Sequence, residues 1–130
     1  QGALIADELS LPYIYIRSAP KDHGLENLIE GELKPGQRVL VVEDLISTGS
    51  SSLKAVEAVR RAGGEVVGMA AIFTYGFPVA EEKFKDAGVE LCTLSNYAAV
   101  LETALESGYI TKEELAALKV WREKPSVWMQ

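Results

Sequence analysis

Two adjacent carboxylates and a run of hydroxyl side chains lie close together in the first half of the chain. In the stretch VLVVEDLISTGSS, Glu43 and Asp44 follow four apolar residues, and the chain then turns to serine, threonine and glycine. Hydroxyls and the free N–H groups at the start of a helix bind phosphate, whereas carboxylates repel it. Carboxylates suit ligand hydroxyls, a metal ion or developing positive charge. The two halves together predict a site for a sugar phosphate.

The hydroxyl-rich half, called here the 47–51 turn, consists of Ser47, Thr48, Gly49, Ser50 and Ser51. Either half alone has a simpler interpretation, because Asp often ends a strand and Ser and Thr often cap helices. Their spacing directly after an apolar strand favours a ligand site. A Walker loop is excluded because no Lys follows Gly49, and the G-x-G-x-x-G pattern of dinucleotide sites is absent.

Length and composition predict one ordinary globular domain, residues 1–130. Apolar residues make up 48% of the chain and charged residues 25%, and the formal net charge is −6 with scattered Lys and Arg. This balance disfavours nucleic acid or a membrane surface as a partner. No apolar run is long enough to span a bilayer.

The single cysteine, Cys92, has no partner for a disulfide within the chain, which predicts a cytoplasmic protein. It lies in an apolar strand pattern, VELCTL, and is expected to be a buried structural thiol rather than a nucleophile. No group of His, Cys and Asp has the spacing of a zinc site, so no protein-held metal is predicted.

The chain opens within a predicted helix, since an apolar stripe recurs at helical spacing at Ala3, Leu4, Ala6 and Leu9. A helix with no preceding strand or cap suggests that upstream sequence has been removed and that a ligand site has lost one wall. Residues 12–17, PYIYIR, are then predicted to form a strand.

The rest of the chain alternates between strands and helices. We predict strands at 38–42, 65–73 and 89–94, and helices at 50–62, 78–86 and 97–107. Asn96 is expected to cap the helix at 97–107, and Thr111 to open a last helix with Glu114 at the capping-box position. This order predicts an α/β protein with an open, mostly parallel twisted sheet and helices on both faces. Ligands bind such sheets at the carboxyl ends of the strands, which is where the 47–51 turn is expected.

Residues 39–51 resemble the phosphoribosyl-diphosphate signature of the type I phosphoribosyltransferases. That signature has an apolar strand, two acidic residues, two apolar residues and a Thr-Gly phosphate loop. This chain matches it, with Ser50 where the family often has a second glycine.

The long connection 18–37 adds a second resemblance. It has no clean period, and long connections inside compact domains are typically lids or binding loops. Together with Arg17 it resembles the mobile active-site loop of orotate phosphoribosyltransferases, R-x-x-x-K-x-H-G, with Ser18 where many members carry a further lysine. The matching residues are Arg17, Lys21, Asp22, His23 and Gly24.

The resemblance implies transfer of phosphoribosyl from phosphoribosyl diphosphate to orotate, a step of pyrimidine synthesis. Glu43 and Asp44 would hold the ribose hydroxyls, and the 47–51 turn would hold the 5′-phosphate. Arg17, Lys21 and His23 would close on the diphosphate leaving group. Lys21, His23 and Asp44 are thus the candidate catalytic residues.

The resemblance also implies a cofactor and an assembly. Mg²⁺ would be carried mainly by the diphosphate substrate, because this ion keeps several waters and needs few protein ligands. The protein would be a homodimer in which the 18–37 loop acts across the interface.

The base side of the site has fewer candidates. Many members of the family place an arginine against the orotate carboxylate where this chain has Tyr75 and Gly76, and Ser47 is close to the base by analogy. Other usual base-binding residues lie outside this chain. Three alternatives remain: a type I enzyme for a purine or other base, a nucleotide-sensing regulator of the same fold, and an inactive folded fragment. A pure sensor has no need of Lys21 and His23.

Overall fold

The structure is a computed structural model that describes residues 1–19 and 28–125. Its elements in chain order are α1 (Gly2–Glu8), β1 (Tyr15–Ile16), β2 (Ile29–Glu30), β3 (Arg38–Ile46), α2 (Ser50–Arg61), β4 (Glu65–Thr74), α3 (Pro78–Asp86), β5 (Leu91–Asn96), α4 (Tyr97–Glu106) and α5 (Lys112–Glu123).

The centre of the fold is a parallel sheet in which β4 lies between β3 and β5. Val41 is opposite Met69, and Met69 is opposite Leu91. Helices α2 and α3 cover the face on which these side chains lie, and Val56 and Phe84 contribute to the same buried core. The α/β class and the parallel sheet predicted from the sequence are confirmed.

The opposite face of the sheet is more open. Val42 faces α1, because a β carbon at Gly2 would lie 3.8 Å from the Val42 Cβ. Helices therefore lie on both faces. Farther across this face Leu94 is 83% exposed, and Cys92, directly in register with Ala70, is exposed as well. The expectation of a buried Cys92 is wrong, because the alternation of β5 turns this residue away from the α2–α3 core.

Strand β3 is longer than predicted. The sequence pattern ended it at Val42, but parallel pairing with β4 continues through Leu45 opposite Phe73 and Ile46 opposite Thr74. Ile46 is fully buried, so its burial extends the strand past the two carboxylates. Glu43 and Asp44 therefore lie within β3 rather than after it.

The predicted strand at 12–17 is reduced to β1, and its partner was not predicted. Tyr15 is paired with Glu30 and Ile16 with Ile29, in an antiparallel two-stranded sheet separate from the main one. The range 18–37 therefore contains a strand, β2. Two residues with no alternation give too weak a pattern to be found in sequence.

Most helix ends follow the predicted signals. Asn96 caps α4 by accepting a hydrogen bond from Ala99 N at 3.0 Å, and Thr111 and Glu114 form the predicted capping box of α5. Helix α1 forms as expected, but of its apolar stripe only Ala6 is buried among the described residues. Within residues 1–19 and 28–125, no helix has the length and apolar character needed to cross a membrane.

Candidate functional site

The two carboxylates lie on opposite faces of β3. Successive residues of an extended strand alternate in direction, so Glu43 shares the Val41 side and Asp44 shares the Val42 side. Glu43 is half-buried and Asp44 is exposed. In the neighbouring strand β4, Ala71 is the residue in register with Glu43. Both carboxylates lie near the carboxyl end of β3.

The 47–51 turn joins β3 to α2 and leaves the start of that helix open. Gly49 is the N-cap residue in the left-handed conformation, with φ +75°, and it has no side chain with which to cap the helix. The first intrahelical bond runs from Leu53 N to Gly49 O, at 3.0 Å. The first turn carries no acidic residue. The N–H groups at this helix start are thus available to an anion.

Gly49 is fixed from below by α3. It is buried, and a β carbon there would lie 2.8 Å from Phe84 Cε2 and 3.8 Å from Ala80 Cβ. Both the positive φ and this close approach require glycine. The turn therefore rests on α3 as well as on its own helix.

A lysine outside the predicted site residues, Lys83, reaches the turn from α3. Lys83 Nζ donates a hydrogen bond to Ser50 Oγ at 2.7 Å, and Ser50 Oγ lies 3.4 Å from Thr48 Oγ1. The two partners are 33 residues apart. No local pattern reports such a contact, because it depends on how α3 packs beside α2.

The next turn along the same edge, residues 74–77, joins β4 to α3 and is called the 74–77 turn. Its backbone is tied to β3, because Tyr75 N donates to Ile46 O at 3.1 Å. Its own Gly76 N donates to Thr74 Oγ1 at 3.0 Å. From α5, Arg122 donates to Tyr75 O through Nε at 3.0 Å and to Gly76 O through Nη2 at 2.7 Å.

Tyr75, a predicted base-binding residue, lies in an aromatic cluster. Its ring is stacked on Phe77 at 5.4 Å between centroids and meets Tyr97 and Trp121 at 5.7 and 5.6 Å. Burial raises the pKa of Tyr97, nearby Tyr75 raises it further, and Arg122 lowers it. Trp121 thus packs α5 onto this cluster, and the ring of Tyr75 lies against α4 and α5.

Arg17 is at the root of the 18–37 segment and is already paired. Its Nη1 lies 3.3 Å from Glu30 Oε1, and its Nε donates to Ala19 O at 3.3 Å. These contacts join β1 to β2 rather than to the 47–51 turn. The predicted site residues Lys21 and His23, with their neighbours Asp22 and Gly24, lie outside the described residues.

The two carboxylates and the 47–51 turn form an open surface rather than a closed cavity. A pocket of about 400 Å³ lies between α3 and the strands β4 and β5, and its lining includes Glu81 and Lys85. It contains neither Glu43 nor Asp44. In the described part of the chain, no three His, Cys, Asp or Glu side chains converge to hold a metal ion.

Comparison with known proteins gives consistent matches. Residues 2–107 match the family model of the phosphoribosyl transferase domain. The orotate phosphoribosyltransferase of Bacteroides fragilis is 68% identical over 128 residues, which are 98% of this chain and 60% of that protein. The solved structure of Leishmania donovani UMP synthase gives a TM-score of 0.75 at 28% identity, covering 92% of this chain and 26% of that one.

A second solved structure, the orotate phosphoribosyltransferase from Aeropyrum pernix, gives a TM-score of 0.71 at 32% identity. It covers 84% of this chain and 59% of that one. The chain belongs to the phosphoribosyl transferase domain family. It spans about 60% of the length of the curated Bacteroides relative.

Proposed function

We propose that the full-length protein transfers the phosphoribosyl group of phosphoribosyl diphosphate to orotate, giving orotidine 5′-monophosphate and diphosphate. The observation that carries this proposal is the 47–51 turn: an uncapped helix start lined with hydroxyls, directly after an acidic strand. The 68% identity to a protein named orotate phosphoribosyltransferase supports orotate as the base. We also propose that the protein works in the cytoplasm.

The 47–51 turn would hold the 5′-phosphate. The N–H groups at the start of α2 donate to phosphate oxygens, and the positive end of the helix dipole favours the anion. Thr48, Ser50 and Ser51 add hydroxyl donors. Because Gly49 has no side chain, the backbone can approach the phosphate closely.

Glu43 and Asp44 would act on the ribose. Carboxylates accept hydrogen bonds from ribose hydroxyls, and they stabilise the positive charge that develops as the anomeric carbon loses its leaving group. Because the two side chains leave β3 on opposite faces, we assign the more exposed Asp44 the direct catalytic role. Glu43, half-buried, is the second ribose ligand.

Mg²⁺ fits this donor set as an ion brought by the substrate. Carboxylate and hydroxyl oxygens suit it, and the described residues offer no three-ligand cage. When bound, the ion neutralises charge on the diphosphate. Asp44 and Glu43 would keep their own roles, which are to accept from the ribose hydroxyls and to stabilise the positive charge at the anomeric carbon.

The segment 18–37 would close over the diphosphate. Lys21 and His23 would stabilise the charge that appears as the bond to ribose breaks, and closure would exclude water. Arg17 would join them only by leaving Glu30, so loop closure and the 3.3 Å ion pair would compete. We propose a homodimer in which this loop serves the neighbouring subunit's site.

The base would lie between the 47–51 turn and the 74–77 turn. Ser47 is exposed at the end of β3 and can donate to a base carbonyl. Tyr75 is the second candidate. Its ring packs in the aromatic cluster, whereas its backbone N–H bonds to Ile46 O at the edge of the sheet. The backbone of Tyr75, rather than its ring, would therefore border the base.

Other bases and a non-catalytic sensor are the rival functions. The test is to assay the full-length protein with phosphoribosyl diphosphate, Mg²⁺ and a panel of orotate, uracil, adenine and hypoxanthine. We expect turnover with orotate alone. Turnover with a purine would identify a purine rather than orotate as the acceptor base. Tight nucleotide binding without turnover on any base would favour the sensor.

The loop assignment has a separate test in hybrid dimers. Lys21→Ala should lower kcat about a hundredfold and change the substrate Kd far less, because the charge that it meets appears only in the transition state. Mixing Lys21→Ala with Asp44→Asn chains should restore activity if the loop crosses the interface, since one site then carries neither defect. Subunit exchange is first verified with two affinity tags; exchanged dimers without activity would place loop and carboxylates of one site on the same chain.

A further inference from the structure

Lys83 brings a full positive charge to a turn whose own sequence has none. Its Nζ is 2.7 Å from Ser50 Oγ, the hydroxyl of the first residue of α2. Among residues 1–19 and 28–125, no carboxylate forms an ion pair with Lys83; those found there join Arg17 to Glu30 and Lys34 to Glu32. The ammonium group thus lies beside the open start of α2, with no acidic partner in the described part of the chain.

The core of the protein holds Lys83 in this position. Residues three and four apart on a helix share a face, so Ala80, Lys83 and Phe84 all project toward the 47–51 turn. Ala80 and Phe84 are each 3% exposed and lie against Gly49. Because both neighbours are packed, α3 cannot move away from the turn without opening the core. The flexible lysine stem then needs only a small rotation to reach a ligand.

The chemistry of the ligand favours such a cation. A phosphate monoester carries a charge of about −1.5 to −2 at neutral pH, whereas a helix start supplies only about +0.5. Glu43 and Asp44 lie a few residues upstream and oppose an anion. A lysine acts on phosphate as a point charge with three donors, of which Ser50 uses one.

We propose that Lys83 is a ligand of the 5′-phosphate, supplied from α3 to a loop that belongs to α2. In the free protein Ser50 holds the ammonium group in place, and on binding the phosphate accepts from both the lysine and the hydroxyl. This inference rests on the proposed phosphoribosyl site. A lysine near the end of α3 also suits the negative end of that helix, and Lys85 shares this simpler role.

Lys85 is therefore the matched control. It lies two residues farther along α3, a little over half a helical turn away from Lys83, and lines the pocket between α3 and the strands β4 and β5. Lys83→Met and Lys85→Met remove the same charge from the same helix end. Lys83→Arg keeps the charge at the turn.

The experiment is calorimetric titration of the full-length protein and its three variants with ribose 5-phosphate, and separately with Mg²⁺-diphosphate, at low and high salt. We expect Lys83→Met to weaken ribose 5-phosphate binding about tenfold and to reduce its salt dependence, since one charged contact is lost. Diphosphate binding should change less than twofold. Lys85→Met should match the unmodified protein, and Lys83→Arg should recover most of the affinity.

Two results would overturn the proposal in different ways. Unchanged ribose 5-phosphate affinity in Lys83→Met, or an equal loss in Lys85→Met, removes Lys83 from the phosphate site and leaves the proposed function intact. An unmodified protein that binds neither ribose 5-phosphate nor diphosphate removes the proposed function itself. Thermal unfolding of each variant separates lost folding from lost binding, and the salt dependence is a readout that altered packing alone does not change.

Discussion

The 47–51 turn and the 74–77 turn occupy equivalent places in the fold but are built for different ends. Each leaves the carboxyl end of a parallel strand, enters a helix and contains a glycine with positive φ, +75° at Gly49 and +63° at Gly76. The first leaves the N–H groups of its helix open. The second has Pro78 at the helix start, which has no N–H, and Glu81 in the first turn of α3.

The difference continues in the contacts of each turn. The 74–77 turn is closed by Arg122, which donates to two of its carbonyls, and by aromatic packing of Tyr75. Among residues 1–19 and 28–125, the only side-chain bond from a distant element to the 47–51 turn is that of Lys83. The topology therefore places two strand–helix turns at the same edge of the sheet. The side chains leave the 47–51 turn open to an anion, whereas Arg122 and the aromatic cluster occupy the space around the 74–77 turn.

The largest expected effect comes from the strand before the open turn. Asp44→Asn keeps the shape of the side chain but removes its charge, and kcat should fall about a hundredfold, as for other electrostatic stabilisers of a transition state. Glu43→Gln should have an equal or smaller effect. Steady-state kinetics of the full-length protein with orotate and phosphoribosyl diphosphate provide the measurement.

The control for this prediction is Asp86→Asn at the end of α3, an exposed carboxylate away from β3. Its kcat should stay within twofold of the unmodified value. Full activity in both Asp44→Asn and Glu43→Gln would remove the carboxylates from the ribose.

Local sequence patterns were sufficient to predict the main strands and helices that form this edge of the sheet. The strand–turn–helix at 38–61, the Asn96 cap and the capping box at Thr111 are each encoded within a few residues, and the structure agrees with them. The β1–β2 pairing, the Arg122 bonds and the Lys83 bond each join distant residues, so no periodicity reports them. Cys92 was misjudged because an apolar strand pattern does not state which face another layer covers.

The second prediction concerns how rigidly α3 supports the open turn. Gly49→Ala adds a β carbon 2.8 Å from Phe84 Cε2 and places an L-residue at φ +75°. We expect the free energy of unfolding to fall by about 3 kcal/mol, from backbone strain and overpacking together. Chemical denaturation of the full-length protein measures it.

Gly36→Ala separates the two causes. Gly36 has φ +80°, but a β carbon there meets no atom within 4 Å. It should cost only the strain, about 1 kcal/mol. Equal losses at both glycines would show that the contact with Phe84 is unimportant. Because Gly49→Ala also disturbs packing, it is a test of support and not of phosphate binding.

The third prediction opens the closed turn. Arg122→Met retains an apolar stem beside the aromatic cluster but removes both hydrogen bonds, and we expect a loss of about 2 kcal/mol of stability. If the 74–77 turn borders the base, the KM for orotate should also rise several-fold while that for phosphoribosyl diphosphate stays constant. Arg60→Met is the control, since Arg60 donates one exposed bond to Ala87 O, away from both turns. A rise of both KM values together would contradict the separation of the two turns.

The smallest effect on stability is expected from Thr111→Ala, which weakens the start of α5, the helix that closes the 74–77 turn through Arg122. Thr111 accepts from Glu114 N at 3.2 Å, and Glu114 Oε2 accepts from Thr111 N at 2.7 Å, so the capping box fixes the start of the helix that carries Arg122. Thr111→Ala should lower stability by about 1 kcal/mol and raise the orotate KM slightly, through fraying at the far end of the helix. Thr103→Ala, at an exposed position inside α4, should do neither. Amide exchange would locate the effect: α5 should exchange faster in Thr111→Ala while the start of α2 keeps its protection. Faster exchange at both turns would mean that α5 stabilises the 47–51 turn as well as the 74–77 turn. That result would contradict the conclusion that only the 74–77 turn depends on α5.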